Sequence, residues 1–372
     1  YFAAGKLNMP GAMFTASHNP AEYNGIKMCL SGARPIGKES GLLTIEKFVE
    51  QGSPIELRSV GVERSQPMLE EYVEHLLSLV DLSSMRPLKV VIDAGNGMAG
   101  YTAPAVFKKL NAEVIEMYFE LDGTFPNHEA NPIDPKNLQD LSKAVKKHKA
   151  DIGLAFDGDA DRCFLVDEKG DLVNPSALTA LIADRALASD PGSTIIYNLI
   201  SSRSVKEVVE ENGGTAVRSR VGHSYIKKMM AETGAIFGGE HSGHFYFRDF
   251  WRADSGMLAA LHALAALSES KGSLSQLLHS YNRYSSSGEI NSVVSDAKSV
   301  MESIESHYLA LDLAIGGITT DHLDGLTVES SDWWFNVRAS NTEPLLRLNV
   351  EANSAALMKK VSAQVLALIG GK

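Results

Sequence analysis

The sequence predicts an α/β protein made of several mainly parallel α/β units, followed by a smaller α+β domain at the C-terminus. Three observations favour this fold class. Short apolar segments of strand type alternate with helical segments of 3.6-residue period between residues 88 and 267. A polar, serine-rich stretch at 281–288 predicts a linker, after which strand-like segments dominate before one final helix. The length of 372 residues fits two or three domains, or four small ones.

The composition argues against several classes of protein. The formal net charge is −11 and the isoelectric point is about 5.5, which argues against a general nucleic-acid binder. No apolar run approaches 18 residues, so we expect no membrane span. Cys29 and Cys163 lie in apolar surroundings, which predicts buried free thiols, a reducing compartment and a cytoplasmic location.

Residues 1–68 predict only the C-terminal part of a domain. The chain begins without an initiator Met or a basic leader, and its first residues have the pattern of a helix end running into a strand. We therefore expect the natural N-terminus to be missing and the N-terminal domain to be incomplete. Strands are predicted at 11–14 and 25–30, and a helix follows at 42–49.

The middle of the chain supplies the alternation of helices and strands. A helix at 69–80 has apolar residues at positions 69, 72, 73, 76, 77 and 80, the spacing of one helix face. A break at Arg86-Pro87 precedes the buried-type strand LKVVID at 88–93. Further helices are predicted at 102–110, 138–148, 176–189, 204–212, 224–233, 255–267, 300–308 and 355–368. Further strands are predicted at 113–117, 151–156, 163–167, 194–198, 215–218, 235–238, 245–247, 326–328, 333–337 and 345–350.

The first chemical signal is the stretch FTASHNPAEYNGIKM at 14–28. It places Ser17 and His18 in a loop bent by Asn19-Pro20 and Asn24-Gly25, with Lys27 ten residues beyond the serine. Such a loop can hold a serine hydroxyl towards a substrate. A surface loop with an incidental serine is the alternative on this stretch alone.

The second signal is the acidic run DGDADR at 157–162, directly after an apolar strand. Asp157, Asp159 and Asp161 occupy alternate positions, so an extended backbone places their carboxylates on one face. Carboxylates this close repel unless a cation neutralises them, and Mg²⁺ prefers oxygen ligands. An EF-hand loop is rejected because its sixth position, which needs glycine, is Arg162. A solvated acidic turn remains the alternative.

Two further polar loops predict sugar and phosphate contacts. In GGEHSGH at 238–244, Glu240 accepts hydrogen bonds and Ser242 both donates and accepts, which suits a polyol such as a sugar. A His-rich turn of this kind can also be a metal site or a structural turn. RASNTEP at 338–344 is either a phosphate cradle or an exposed polar loop. The turn DAGNG at 93–97 is interpreted as structural rather than anion-binding. His223, in the segment that begins at Arg220, is either an acid/base group or a helix-start residue.

These segments together resemble the α-D-phosphohexomutase family, most closely its phosphomannomutase/phosphoglucomutase branch. The resemblance covers the whole chain, because TASHNP, DGDADR, GEHSGH and RASNTEP stand in the family's order and approximate spacing. It implies four domains around one central cleft, each supplying one loop. The implied domains are 1–68 with the serine loop, 69–171 with the metal loop, 172–284 with the sugar loop and 285–372 with the phosphate loop.

The resemblance also implies roles for individual residues. Ser17 would carry a phosphoryl group and, with Asp157, Asp159 and Asp161, would hold Mg²⁺. Lys27 and His18 would assist catalysis, with His223 as a second candidate base. The remaining implied substrate contacts are Arg162, Arg220, Glu240, His241 and Ser242 around the sugar phosphate, and Arg338, Ser340, Asn341 and Thr342 around the phosphate that is not transferred.

The implied reaction interconverts hexose 1-phosphate and hexose 6-phosphate through a hexose 1,6-bisphosphate. His241 stands where many relatives carry Met or Gln; Gln would suggest a phosphoglucosamine mutase, so His favours mannose or glucose phosphates. Expected partners are hexose phosphates, without nucleic acid or membrane, for a monomer or homodimer. The alternatives are a phosphoglucosamine mutase, a metal-dependent phosphatase, and a sugar-phosphate- or metal-binding fragment. The phosphatase leaves the serine and sugar loops unexplained.

Overall fold

A computed structural model describes residues 1–52, 61–340 and 344–370, apart from the side chains of Lys38, Glu39, His223, Ser224, Ala314 and Ile315. Four sheets follow one another along the chain, one for each expected domain. Cys29 and Cys163 are buried free thiols, as predicted. Among the described helices, none is long and apolar enough to cross a membrane.

The N-terminal domain is a small antiparallel sheet with helices. Its elements are α1 (Phe2–Lys6), β1 (Gly11–Phe14), β2 (Ile26–Leu30), β3 (Arg34–Pro35) and α2 (Leu43–Gln51). β1 and β2 are register partners, with Met13 opposite Lys27. The pairing of the two predicted strands therefore turns the intervening stretch into a hairpin loop that projects Ser17 from the end of the sheet.

The second domain is a four-stranded sheet with helices. Its elements are α3 (Leu69–Leu79), β4 (Leu88–Asp93), α4 (Ala99–Phe107), β5 (Ala112–Met117), α5 (Gln139–His148), β6 (Ile152–Phe156) and β7 (Cys163–Asp167). The order is β5-β4-β6-β7, with β7 antiparallel to the parallel rest. Helix α4 begins three residues earlier than the predicted 102, directly after Met98, whose N–H donates to the Gly158 carbonyl at 2.9 Å.

The third domain repeats this arrangement. Its elements are α6 (Pro175–Ser189), β8 (Thr194–Asn198), α7 (Arg203–Glu211), β9 (Thr215–Ser219), α8 (His223–Thr233), β10 (Phe237–Gly239), β11 (Phe245–Phe247), β12 (Ala253–Asp254), α9 (Gly256–Glu269) and α10 (Leu274–Leu278). The order is β12-β11-β10-β8-β9. The carboxyl ends of parallel β10 and β8 lead directly into the sugar loop and the 199–202 segment, the edge at which α/β sheets bind ligands.

The C-terminal domain is an antiparallel sheet with two helices. Its elements are β13 (Ser285–Val293), α11 (Ala297–Ile315), β14 (Thr319–Asp321), β15 (Leu326–Glu329), β16 (Trp333–Ala339), β17 (Leu345–Ala352) and α12 (Ala355–Ile369). The order is β13-β17-β16-β15-β14. The predicted linker at 281–288 is wrong in its second half, because residues 285–288 belong to β13. This edge strand is held by pairing with β17 and lacks an apolar alternation of its own.

The hydrophobic cores are shared unevenly among the domains. One buried cluster runs through the second and third domains and contains, for example, Leu76, Ile92, Leu181 and Phe237. The C-terminal domain has a separate core around Phe335. A backbone bridge joins Arg162 of the second domain to His244 of the third. The second and third domains are therefore packed as one body, and a small apolar cluster of Leu199, Ile200 and Trp334 joins the C-terminal domain to the third.

Candidate active site

The serine loop is held in an uncommon backbone conformation. Its ends are closed by the Thr15 N–H, which donates to the Gly25 carbonyl at 3.0 Å. Ser17 has φ of +56°, and its N–H donates to the Thr15 hydroxyl at 2.8 Å. Positive φ is rare outside glycine and is retained only where neighbouring contacts enforce it, often at functional sites. The Ser17 hydroxyl donates to Asp157 Oδ2 at 2.9 Å, and His18 Nδ1 lies 3.4 Å from the same hydroxyl.

Asp157 joins the serine loop to the metal loop. Its carboxylate is fully buried at the end of β6. It accepts the Arg162 N–H at Oδ1 (3.1 Å) and Arg162 Nε at Oδ2 (2.8 Å). Burial opposes its charge, but Arg162 lowers the pKa of Asp157, so the carboxylate stays ionised beside Ser17. Arg162 Nη2 is buried without a protein hydrogen-bond partner among the described residues, and the residue lines the main cavity.

Lys27 neutralises the other two aspartates. Its ammonium donates to Asp159 Oδ2 at 2.7 Å and to Asp161 Oδ2 at 2.5 Å. Burial opposes protonation, yet Asp161 and Asp159 together raise the pKa of Lys27 well above its ordinary value. Burial and the neighbouring Asp157 raise the pKa of both Asp159 and Asp161. The Lys27 ammonium therefore does not fully compensate Asp159 and Asp161 beside the ionised Asp157, whose own charge is paired with Arg162.

The acidic triad can bind a metal ion. One oxygen from each of Asp157, Asp159 and Asp161 lies within 4.8 Å of the others. Oδ1 of Asp159 and Oδ1 of Asp161 are buried and accept no hydrogen bond from the described residues. Buried carboxylate oxygens of this kind need a cation, and an all-oxygen donor set suits a hard divalent ion. The residues present therefore fit the metal site that the sequence predicts.

The sugar loop brings only part of its predicted set into the cavity. His241 and Ser242 line the cavity with His244. Glu240 is buried, and its carboxylate already accepts hydrogen bonds from the Tyr246 hydroxyl (2.5 Å), the Asn198 amide (3.4 Å) and the Gly222 N–H (3.3 Å). Burial raises the pKa of Glu240. Its assignment to sugar hydroxyls therefore stays a prediction.

His244 connects the sugar loop to the metal loop. Its Nδ1 lies 3.1 Å from the Ser242 hydroxyl, and its Nε2 lies 3.6 Å from Asp161 Oδ1 and 3.8 Å from Asp254 Oδ2. Asp254 forms a buried ion pair with Lys227 at 2.6 Å. Burial lowers the pKa of His244 to about 3, so the ring is neutral at pH 7. GEHSGH contains His244, but sequence reasoning assigned it no role and missed Asp254 and Lys227.

Two arginines of the C-terminal domain line the cavity. Arg338 on β16 and Arg347 on β17 both line it, and Glu289 on β13 contacts both arginines. Sequence reasoning predicted Arg338 but missed Arg347 and Glu289, although a charged residue inside the apolar strand LLRLNV is a detectable signal. Ser340 begins the loop, where its N–H donates to the Leu345 carbonyl at 2.9 Å.

Among the described residues, several predicted site residues do not line the cavity: Ser17, Lys27, Asp157, Asp159, Asp161, Arg220, Glu240 and Ser340. Asn341 and Thr342 lie outside the described residues, and so does the side chain of His223, whose backbone begins α8. The Arg220 guanidinium lies over the Tyr225 ring, 5.3 Å from its centroid. The same guanidinium lies 3.8 Å from a carboxylate oxygen of Asp324 in the C-terminal domain. The neighbouring Val221, rather than Arg220, lines the cavity.

All four domains contribute to one cavity of about 1020 Å³. This volume suits a sugar phosphate with bound water. Burial and the nearby Arg162 lower the pKa of His18 to about 4, and burial with Arg338 and Arg347 lowers that of His241 to about 3. The cavity is lined by polar and charged residues that include, from the first domain to the fourth, His18, Arg162, His241, Ser242, His244, Glu289, Arg338 and Arg347.

Known proteins match this chain over its whole length. Phosphoglucomutase/phosphomannomutase family models match domain I at residues 1–55, domain II at 70–170, domain III at 174–284 and the C-terminal domain at 289–368. The chain is 40% identical to phosphohexose mutases of Xanthomonas campestris pv. campestris, covering 100% of the chain and 82% of the relative. It is also 40% identical to the phosphomannomutase of Vibrio cholerae, covering 99% of the chain and 81% of that protein.

A solved structure supports the same relationship. The phosphoglucomutase/phosphomannomutase family protein of Burkholderia thailandensis superimposes with a TM-score of 0.84 at 34% identity, over 97% of this chain and 76% of that one. The four-domain architecture described above agrees with these matches. The chain therefore belongs to the phosphoglucomutase/phosphomannomutase family of phosphohexomutases.

Proposed function

We propose that this enzyme interconverts hexose 1-phosphate and hexose 6-phosphate of mannose, glucose or both, through a phosphoserine at Ser17 and a hexose 1,6-bisphosphate. One observation carries the proposal. The Ser17 hydroxyl lies 2.9 Å from Asp157, beside Lys27 and the acidic triad. Arg162, which pairs with Asp157, lines the same cavity as Arg338 and Arg347 of the C-terminal domain. A mutase needs two groups of cationic residues around one cavity, because one phosphate is transferred while the other is held.

The charged groups around Ser17 are assigned to the transferred phosphoryl group. Ser17 with Asp157, Asp159 and Asp161 would hold Mg²⁺, which when bound withdraws charge from the phosphoryl group. Lys27 stays protonated between Asp159 and Asp161, so it acts as a charge stabiliser rather than as the base that accepts a proton. Arg162, held by Asp157, directs a spare guanidinium N–H towards the phosphoryl oxygens.

The transfer step exchanges one P–O bond for another. A sugar hydroxyl attacks the phosphorus of phosphoserine, the bond from phosphorus to Ser17 Oγ breaks, and the hydroxyl proton ends on Ser17 Oγ. A neutral histidine can relay that proton. His18 and His244 are both neutral at pH 7 because burial lowers the pKa of each. The unassigned side chain of His223 stays the other candidate from the sequence.

The arginines of the C-terminal domain hold the phosphate that is not reacting. Arg338, Ser340, Asn341 and Thr342 are assigned to this phosphate, and Arg347 joins them. After the first transfer the bisphosphate turns, so that each phosphate takes the other's place and the second phosphoryl group returns to Ser17. His241 and Ser242, between the two ends, contact the sugar ring.

The carrier role of Ser17 is tested by intact mass and turnover. Phosphorylated enzyme carries an extra mass of about 80 Da, which Ser17→Ala abolishes together with mutase activity. Ser31→Ala, in the same domain but away from the acidic triad, retains both. Mannose 1-phosphate and glucose 1-phosphate are assayed separately with trace hexose 1,6-bisphosphate. Release of inorganic phosphate without formation of hexose 6-phosphate would overturn the mutase assignment.

A further inference from the structure

Arg338 and Arg347, together called the phosphate wall, are two like charges on neighbouring strands. Arg338 on β16 and Arg347 on β17 are direct register partners. Like charges directly opposite each other in a sheet are destabilising. Glu289 on the next strand lies against both: its Oε2 accepts from Arg338 Nη2 at 2.7 Å, and its Oε1 lies 3.5 Å from Arg347 Nη1. One carboxylate therefore bridges both arginines that face the cavity.

The three side chains are largely shielded from solvent. Their exposed fractions are 12% for Arg338, 25% for Glu289 and 31% for Arg347. Burial lowers the pKa of Arg338 and Glu289 opposes that effect, so the carboxylate helps to keep the guanidinium charged. The Nε groups of both arginines are buried without a hydrogen-bond partner among the described residues. Each guanidinium therefore has an N–H group that no described residue pairs with.

Glu289 and a phosphate would compete for the same guanidiniums. An arginine fork binds carboxylate and phosphate with the same geometry, and Glu289 already occupies one Nη group of Arg338. A bound phosphate must therefore displace the carboxylate or tolerate its negative charge within a few ångströms. Either outcome weakens the hold on the phosphate.

We propose that Glu289 is a built-in competitor that keeps the phosphate wall weak enough to release its ligand. This inference rests on the proposed function, in which the bisphosphate leaves the wall and returns turned around. A wall with two uncompensated arginines would bind one end of the bisphosphate too tightly for that reorientation. Glu289 is thus a positioning residue that acts through Arg338 and Arg347 and sets the balance between phosphate binding and turnover.

A purely structural role for Glu289 predicts the opposite sign. If the carboxylate only orients the two guanidiniums, its removal disorders them and phosphate binds less tightly. If it competes, its removal frees them and phosphate binds more tightly. Glu289→Gln keeps the size and a hydrogen-bond acceptor but removes the charge, whereas Glu289→Ala removes both.

Isothermal titration calorimetry of the full chain with inorganic phosphate measures this difference without turnover. For Glu289→Gln and Glu289→Ala we expect the Kd to fall by up to about 5-fold, the range of a partly shielded ion pair. The gain must vanish when Arg338→Ala is added, which assigns the phosphate to this wall. Glu329→Gln is the matched control, because Glu329 lies in the same domain and pairs with Arg203 at 2.9 Å instead.

Steady-state kinetics then separates binding from release. With mannose 1-phosphate or glucose 1-phosphate, Glu289→Gln should lower both KM and kcat, whereas Glu329→Gln changes neither. An unchanged or higher Kd for phosphate in both Glu289 variants overturns the competitor role. Tighter phosphate binding in an enzyme without hexose 6-phosphate formation supports the competition but refutes the mutase assignment, so the two failures are distinguishable.

Discussion

Gly158→Ala tests whether the metal loop positions the serine. Gly158 lies between two loops: a Cβ there would sit 2.3 Å from the Ser17 carbonyl oxygen and 3.6 Å from Ala130 Cβ. The residue cannot simply retreat. Its carbonyl accepts the Met98 N–H at 2.9 Å, and its backbone packs against Gly97. The serine loop, the metal loop and the DAGNG turn therefore pack directly against one another at glycine residues, where a side chain has no room.

The size of the effect follows from the distance. A carbon–oxygen contact is normally about 3.3 Å or longer, so the new methyl group must separate Ser17 from the metal loop by about 1 Å. A displacement of that size at a reacting group costs about 100-fold in rate. The local strain should also lower stability by about 1–3 kcal/mol, a range typical of overpacking. The variant should therefore fold but turn over about 100-fold more slowly, with little change in KM.

The assay compares kcat, KM and thermal midpoint of Gly158→Ala with those of Gly123→Ala. Gly123 lies in the same domain and a Cβ there meets nothing within 4 Å, so it controls for glycine replacement itself. Intact mass shows whether Gly158→Ala still accepts the phosphoryl group. A kcat within threefold of the parent enzyme would refute the reasoning that this contact fixes the Ser17 geometry.

Two further predictions concern buried charges. Lys227→Met leaves Asp254, only 3% exposed, without its counter-charge and should lower the free energy of unfolding by about 3–5 kcal/mol. Adding Asp254→Leu should recover most of this loss. Thermal midpoints measure both effects, and equal midpoints for the single and double variants would contradict the prediction. The second prediction is that stability falls as the pH drops from about 6.5 towards 4, by up to about 1 kcal/mol per pH unit for each buried histidine. The sign follows because the unfolded chain protonates histidines that stay neutral in the fold. The urea midpoint should be lower at pH 5 than at pH 7. His262→Phe, which keeps a ring stacked on Phe247, should reduce this difference. Equal urea midpoints at the two pH values would contradict the prediction. Burial lowers the pKa of these residues to about 4 (His18 and His262) and about 3 (His241 and His244).

The sequence allowed the serine–aspartate site to be predicted because its residues are contiguous in two short motifs. DGDADR follows an apolar strand and TASHNP follows another, so strand ends alone place Ser17 and Asp157 at sheet edges. The 2.9 Å contact between them connects residues 140 positions apart, which no local pattern specifies. The motif order and the family resemblance supplied that link.

The residues that were missed depend on tertiary pairing. Glu289 lies in a serine-rich segment without apolar periodicity, and only its pairing with β17 makes that segment a strand. Lys227 lies on a helix whose residues resemble an ordinary solvated face, yet it is 2% exposed because Asp254 and the Tyr1 ring cover it. Charged residues become buried partners only when distant elements meet.

Glu240 shows what residue type alone leaves open, and its assignment to sugar hydroxyls stays a prediction. The sequence identifies a carboxylate in a glycine-framed turn, which suits sugar hydroxyls. The fold, however, surrounds that carboxylate with the Tyr246 hydroxyl, the Asn198 amide and the Gly222 N–H. Residue type indicates the capacity to accept hydrogen bonds, whereas the competing donors are known only after folding.

The unequal division of the hydrophobic cores has a mechanical consequence. The acidic triad and the sugar loop belong to the body formed by the second and third domains, and Ser17 of the N-terminal domain is joined to that body by its contact with Asp157. Arg338 and Arg347 belong to a domain with its own core. It joins the third domain through the small cluster of Leu199, Ile200 and Trp334 and through polar contacts such as those of Arg203 with the Ser331 and Trp333 carbonyls. The placement of the two arginines relative to the acidic triad therefore depends on this interface.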